Sequence, residues 1–79
     1  MKSGNSKRLR GRIILVQEDR FRAVGPSGRG YLFTLSHRAR AAHADLARWH
    51  AADAEVLIDF QGEPNLASGV AYRVVPFGA

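Results

Sequence analysis

Arg8, Arg10 and Arg12 alternate along one stretch of this chain, and Arg20 and Arg22 repeat the spacing further on. A guanidinium is permanently charged and presents five N–H donors in a planar fork that matches a phosphate or a carboxylate. Residues two apart on a β-strand share a face. Alternating arginines therefore place several such forks on one surface, and the chemistry this serves is holding a polyanion. The bias is also regional. Residues 1–40 carry ten of the 12 Lys and Arg residues and two of the 7 acids, so that stretch is +8 while the remainder is −3, against +5 for the whole chain. A one-sided basic surface on a chain of 79 residues is the electrostatic footprint of a polyanionic partner.

Other chemistries find less support. His37, His43 and His50 include no i, i+4 pair of the kind that a zinc-binding helix uses, and there is no cysteine to join them. Solvated histidines are the expected reading, with no metal and no cofactor. The carboxylates Asp45, Asp53, Glu55, Asp59 and Glu63 form no pair of defined geometry, and Glu55 and Asp59 read as solvated strand positions. The serines follow no nucleophile elbow or triad order. No catalytic residue is assigned, and the chain is not expected to be an enzyme. Gly25-Pro26-Ser27-Gly28-Arg29-Gly30 contains Gly-x-Gly, but a strand pattern follows it where a phosphate-binding loop needs Lys-Ser/Thr and a helix, so it reads as a hairpin turn.

The elements that must position these arginines are short. Residues 1–7 are polar and read as a disordered basic arm. Residues 8–79 then form one domain, the number this length allows. Arg8 to Gln17 reads as a strand with Leu9, Gly11, Ile13 and Leu15 on one face and Arg8, Arg10, Arg12 and Ile14 on the other. After a Glu18-Asp19 turn, Arg20 to Val24 is a second strand with Phe21 and Ala23 inward and Arg20 and Arg22 outward. Tyr31 to Leu35 is a third, with Tyr31, Phe33 and Leu35 inward and Leu32 and Thr34 outward. Ser36 is placed to cap a helix over His37 to His50, whose stripe of Ala39, Ala42, Leu46 and Trp49 faces the core. Ala54 to Gln61 is the fourth strand, with Val56, Ile58 and Phe60 inward. Gly69 to Val75 is the fifth, with Val70, Tyr72 and Val74 inward.

Five strands with one helix between the third and fourth is the plan of the OB-fold, a mainly β barrel whose second and third strands form the usual ligand face. The longest apolar run, Ile13-Ile14-Leu15-Val16, is too short to span a membrane and no secretory signal is present, so a cytoplasmic protein without a membrane partner is expected.

Several segments in order sharpen this. Gly11-Arg-Ile opens the first strand, Phe21-Arg-Ala-Val lies in the second, and Leu35-Ser-His-Arg-Ala-Arg40 leaves the third. Asp53-Ala-Glu-Val enters the fourth and Asn65-Leu-Ala-Ser-Gly69 the fifth. Across roughly residues 9–75 this series resembles bacterial translation initiation factor 1. The resemblance implies an OB-fold, a single-stranded RNA ligand and association with the ribosome. It carries over Arg38 and Arg40, which match the family's basic pair entering the helix, and Arg48, which matches a later basic position. His37 stands where the family has Gly, and Val70 where it has a basic residue. Cold-shock domains are a more distant likeness, through Gly30-Tyr-Leu-Phe-Thr-Leu-Ser36, but their exposed stacking aromatics correspond to Leu32 and Thr34 here.

The sequence thus points to a small protein that holds single-stranded RNA or DNA through arginine–phosphate contacts with weak sequence specificity. Arg12, Arg20 and Arg22 would take phosphates, Arg38, Arg40 and Arg48 would extend the track, and Thr34 would offer a hydroxyl. Arg10, Arg29 and Arg73 are secondary candidates. The competing expectation is an OB-fold interaction module for an acidic protein, which outward Leu32 and Leu57 favour.

Overall fold

A computed structural model of the chain describes residues 7–39, 43–65 and 69–77. Five strands and one helix follow one another: β1 (Lys7–Gln17), β2 (Arg20–Val24), β3 (Gly30–Leu35), α1 (His43–Ala51), β4 (Glu55–Gln61) and β5 (Val70–Pro76). The fold is mainly β, with the helix between the third and fourth strands as expected. Of the arm anticipated over residues 1–7, Lys7 is the first residue of β1 and pairs with Glu63 at 3.8 Å, and the rest lies outside the described residues.

The strands are ordered β1-β2-β3-β5-β4, and β4 pairs back with β1, so the ladder closes on itself. All pairings are antiparallel except β3 with β5, which run parallel over Thr34–Val70 and Leu35–Ala71. β1 serves two neighbours in succession. Lys7 to Arg12 pair with β4, and Arg12 to Gln17 pair with β2. A strand that changes partner midway must turn a corner, and the devices for this are a glycine and a bulge. Both are present: Gly11 is buried at the corner, and the β1–β2 register slips by one residue at Ile14.

The slip corrects the expected facing of β1. An extra residue inverts the in–out alternation beyond it. Leu15, expected inside, is 43 % exposed, and Val16, paired with Phe21, packs against the core in its place. A second slip, between Asp59 and Phe60 of β4, makes Tyr72 the extra residue of β5. Tyr72 therefore faces out at 36 % exposure, and Ala71 and Val74 point in, where Val70, Tyr72 and Val74 were expected. The core is Ile13, Phe21, Ala23, Phe33, Leu35, Val56, Ile58, Phe60, Ala71 and Val74, closed by Leu46 of α1. Trp49 packs against its margin as the expected helical stripe has it, whereas Ala39 packs there from the turn before the helix; Ala42 lies outside the described residues.

The helix is shorter than expected. Residues 36–39 form a turn in which the Arg38 N–H donates to Ser36 Oγ at 3.1 Å and the Ala39 N–H to the Ser36 carbonyl at 3.0 Å. Ser36 thus caps that turn, because its hydroxyl is held by a local loop that competes with helix. At the other end, the Asp53 N–H reaches the His50 carbonyl and the Ala54 N–H the Trp49 carbonyl. This is a Schellman termination with Asp53 in the left-handed position, at φ 53°. Glycine suits that position better, and a carboxylate opposes the negative end of the helix dipole. Asp53→Gly is expected to stabilise the fold by about 0.5–1 kcal/mol. A thermal melt should rise by a few degrees; a fall would mean that the Asp53 side chain contributes more than its backbone strain costs.

Candidate nucleic-acid interface

The outward residues of β1, β2 and β3 align in three rows across the strands. Gln17, Arg20 and Thr34 are cross-strand partners in the first, and Leu15, Arg22 and Leu32 in the second. Arg12, Val24 and Gly30 make the third. Each row contributes one arginine, and successive rows along β2 are two residues apart, about 6.7 Å. Cross-strand neighbours on one face stand close enough to act together. The regular alternation of β2 puts Arg20 and Arg22 here while Phe21 and Ala23 enter the core. Arg22 lies across β3 over Gly30, where a Cβ would be in ordinary contact with Arg22 Nη1 at 3.5 Å.

The arginines divide by their partners. Arg8 Nε donates to Asp59 Oδ1 at 2.6 Å, and Arg73 stands 3.7 Å from the other carboxylate oxygen. Arg10 pairs with Glu55 at 3.1 Å, and Arg48 with Asp45 at 2.9 Å. The bond and charge of Asp59 hold the Arg8 guanidinium above its ordinary value. Asp59 is consequently not the solvated strand position expected. It is 9 % exposed beneath two arginines, which lie opposite it in the β1 and β5 ladders. By contrast, no acid among the described residues lies within ion-pair distance of Arg12, Arg20, Arg22, Arg29 or Arg38. An unpaired guanidinium keeps its donor fork for an external anion and loses no internal partner on binding.

The sequence-predicted residues are therefore not all brought together. Arg20, Arg22 and Thr34 share adjacent rows, and Arg12 continues them beyond the β1 bulge. Arg38 sits in the exposed turn after β3. Arg48 is on α1, outside the three-strand face and already paired. Arg40 lies outside the described residues. Of the secondary candidates, Arg10 and Arg73 belong to the paired group, and Arg29 stands over the Tyr31 ring at 5.6 Å.

Three contributors were missed. The β1 slip delivers Leu15 and Gln17 onto the face, where strict alternation would bury both. The signal available was Ile13-Ile14-Leu15-Val16, an apolar run that breaks alternation. Asn65 is the third. Its N–H donates to the Leu32 carbonyl and its Oδ1 accepts the Leu32 N–H, each at 2.8 Å. A side-chain amide so placed mimics a further strand residue and seats the β4–β5 loop against the face. Asn65 has φ 72°, which asparagine tolerates better than most residues.

Three hollows flank the arginines, and that of about 460 Å³ is lined by Gln17, Glu18, Asp19 and Arg20 at the β1–β2 turn. One of about 130 Å³ is lined by Leu15, Gln17, Arg20, Phe21, Arg22 and Leu32. Another, of about 360 Å³, is bordered by Arg12 and Ile14 but also by Asp53 and Glu55. Those carboxylates make that hollow less suited to an anion. Glu18 and Asp19 end the face at the β1–β2 turn. Among the described residues, no group of three His, Cys, Asp or Glu could hold a metal ion, and no helix is long and apolar enough to cross a membrane. Comparison with protein-family models, with curated proteins and with solved structures finds no match to this chain.

Proposed function

We infer that this chain is a small OB-fold protein that holds single-stranded RNA or DNA on the β1–β2–β3 face. The strand order, the parallel β3–β5 pair and the helix before β4 support the OB plan, in which strands two and three carry the ligand face. One observation carries the ligand class: Arg20 and Arg22 stand in adjacent rows without an acidic partner among the described residues, while arginines of the same spacing on the first half of β1 are neutralised. The resemblance to translation initiation factor 1 favours RNA as the nucleic acid and the ribosome as its setting, and a cytoplasmic location belongs to the same proposal. Stacking on aromatics contributes about 1–3 kcal/mol per base in single-strand binders. This face offers Leu15 and Leu32 in that role, so backbone contacts carry most of the affinity.

The test is an oligonucleotide titration across salt. Four phosphate contacts, from Arg12, Arg20, Arg22 and Arg38, give a slope of log affinity against log salt of about −2.8 for a single strand. Replacing Arg20 and Arg22 together by alanine should flatten it to about −1.4 and weaken binding at low salt. Absence of binding at low salt would falsify the reading. Leu15 and Leu32 on either side of Arg22 favour a second reading, an acidic protein segment with apolar side chains. Binding of such a peptide, with no oligonucleotide binding, would establish it.

A further inference from the structure

We propose that Gln17 reads one base of the bound strand, and that the base it prefers is adenine. The inference rests on the nucleic-acid reading above and gives the face a specificity that the arginines do not supply. The observation behind it is the β1 slip at Ile14. Bulges re-aim side chains near binding sites. This one turns Gln17 out of the barrel interior and places it opposite Arg20.

Gln17 is exposed, and its amide has no hydrogen-bond partner among the described residues. It lines the hollow of about 130 Å³ together with Leu15 and Leu32, the two apolar side chains of the neighbouring row. A base laid on those leucines has its edge at the first row, where Gln17 stands. Arg20 and Arg22 line the same hollow and can take the phosphates on either side. The chemistry selects the base. A glutamine amide offers a donor and an acceptor side by side, which match adenine on two edges, N1 with N6 and N7 with N6, where each other base of a single strand offers one such edge. Phosphate contacts are blind to sequence, so any preference must come from such an edge contact. Thr34, at the far end of the row, provides one hydroxyl and cannot form a fork.

The probe is a set of short oligouridylates carrying a single central adenine, cytosine, guanine or uracil, titrated at one low salt concentration against the full chain. The adenine oligonucleotide should bind about fivefold tighter than the others, the lower end of what one bidentate base contact confers. Gln17→Ala should remove that ratio. Gln17→Glu should shift it toward guanine, whose N1–H and N2–H donate side by side to a carboxylate. Comparing ratios within each variant cancels the added charge, and melting curves of both variants verify the fold. Equal affinity for all four strands, preference for another base, or an adenine preference that survives Gln17→Ala overturns the assignment and leaves the phosphate reading standing. Failure of every strand to bind overturns both.

Discussion

Phe33→Ala should cost the chain about a quarter or more of its stability. Phe33 is 1 % exposed and sits where the aromatic residues of the core converge. Its ring centroid is 4.9 Å from that of Phe60, 5.5 Å from Phe21 and 6.5 Å from Tyr31. These contacts tie β3 to β4 and β2, and support Tyr31 within β3 itself. Deleting a buried Phe side chain removes its transfer free energy and opens a cavity, a loss of about 3–5 kcal/mol. A domain of 79 residues has a total stability of about 4–12 kcal/mol. With no cysteine in the sequence, no disulfide makes up the difference. Urea denaturation should show a midpoint lower than the parent's by about 1–5 M for the variant. Phe33→Leu, which keeps most of the volume, should lose far less and remain folded. A Phe33→Ala midpoint close to the parent's would mean that β2, β3 and β4 are not coupled through this ring.

The same residues explain what could be read ahead of the structure. β2 is five residues long and alternates without interruption, so the inward Phe21 and Ala23 and the outward Arg20 and Arg22 follow from period two alone. β3 alternates likewise across Phe33, Thr34 and Leu35. The facing of the second half of β1 and of Ala71 and Tyr72 in β5 did not follow, because each strand carries a slip that shifts the phase of the alternation there. Ile13-Ile14-Leu15-Val16 holds no polar residue to mark the phase, so counting in twos runs through the bulge unnoticed.

Charge neutralisation was hidden for a different reason. Arg8 and Arg10 look the same as Arg20 and Arg22 along the sequence. They differ only in what lies across the ladder, and the Arg8–Asp59 pair spans 51 residues. Local pattern reports how many guanidiniums a face has, but only register decides which remain available. That distinction is what restricts the candidate site to the second half of β1, β2 and β3.

Gly11→Ala should destabilise the chain by about 1–3 kcal/mol, through overpacking against main chain. A Cβ at Gly11 would overlap the Val24 carbonyl oxygen, and would lie 3.0 Å from the Val24 carbonyl carbon and 3.4 Å from Gly25 Cα. All three are backbone atoms, so no side chain can swing aside. Val24 cannot retreat easily either. It ends β2, is paired with Arg12 and Gly30, and leads into a loop closed by the Gly25 N–H to Arg29 carbonyl bond of 2.9 Å. Two other glycines give the scale. At Gly25 the nearest obstacle is the movable Leu9 side chain, 3.2 Å away. At Gly28 there is open space, and the cost of alanine is the left-handed φ of 86°, about 1 kcal/mol. Thermal melts should therefore place Gly11→Ala well below Gly25→Ala. The functional consequence follows from position. Gly11 makes the corner at which β1 passes from β4 to β2, just ahead of the slip that turns Leu15 and Gln17 outward. Any folded fraction of Gly11→Ala must open the β1–β2 contact at Val24, and so should bind oligonucleotides less tightly than Gly28→Ala, whose added methyl meets open space. A Gly11→Ala protein that melts and binds like the parent would mean that β1 does not turn here, and with it would fall the alignment of Arg12, Arg22 and Arg20 in successive rows.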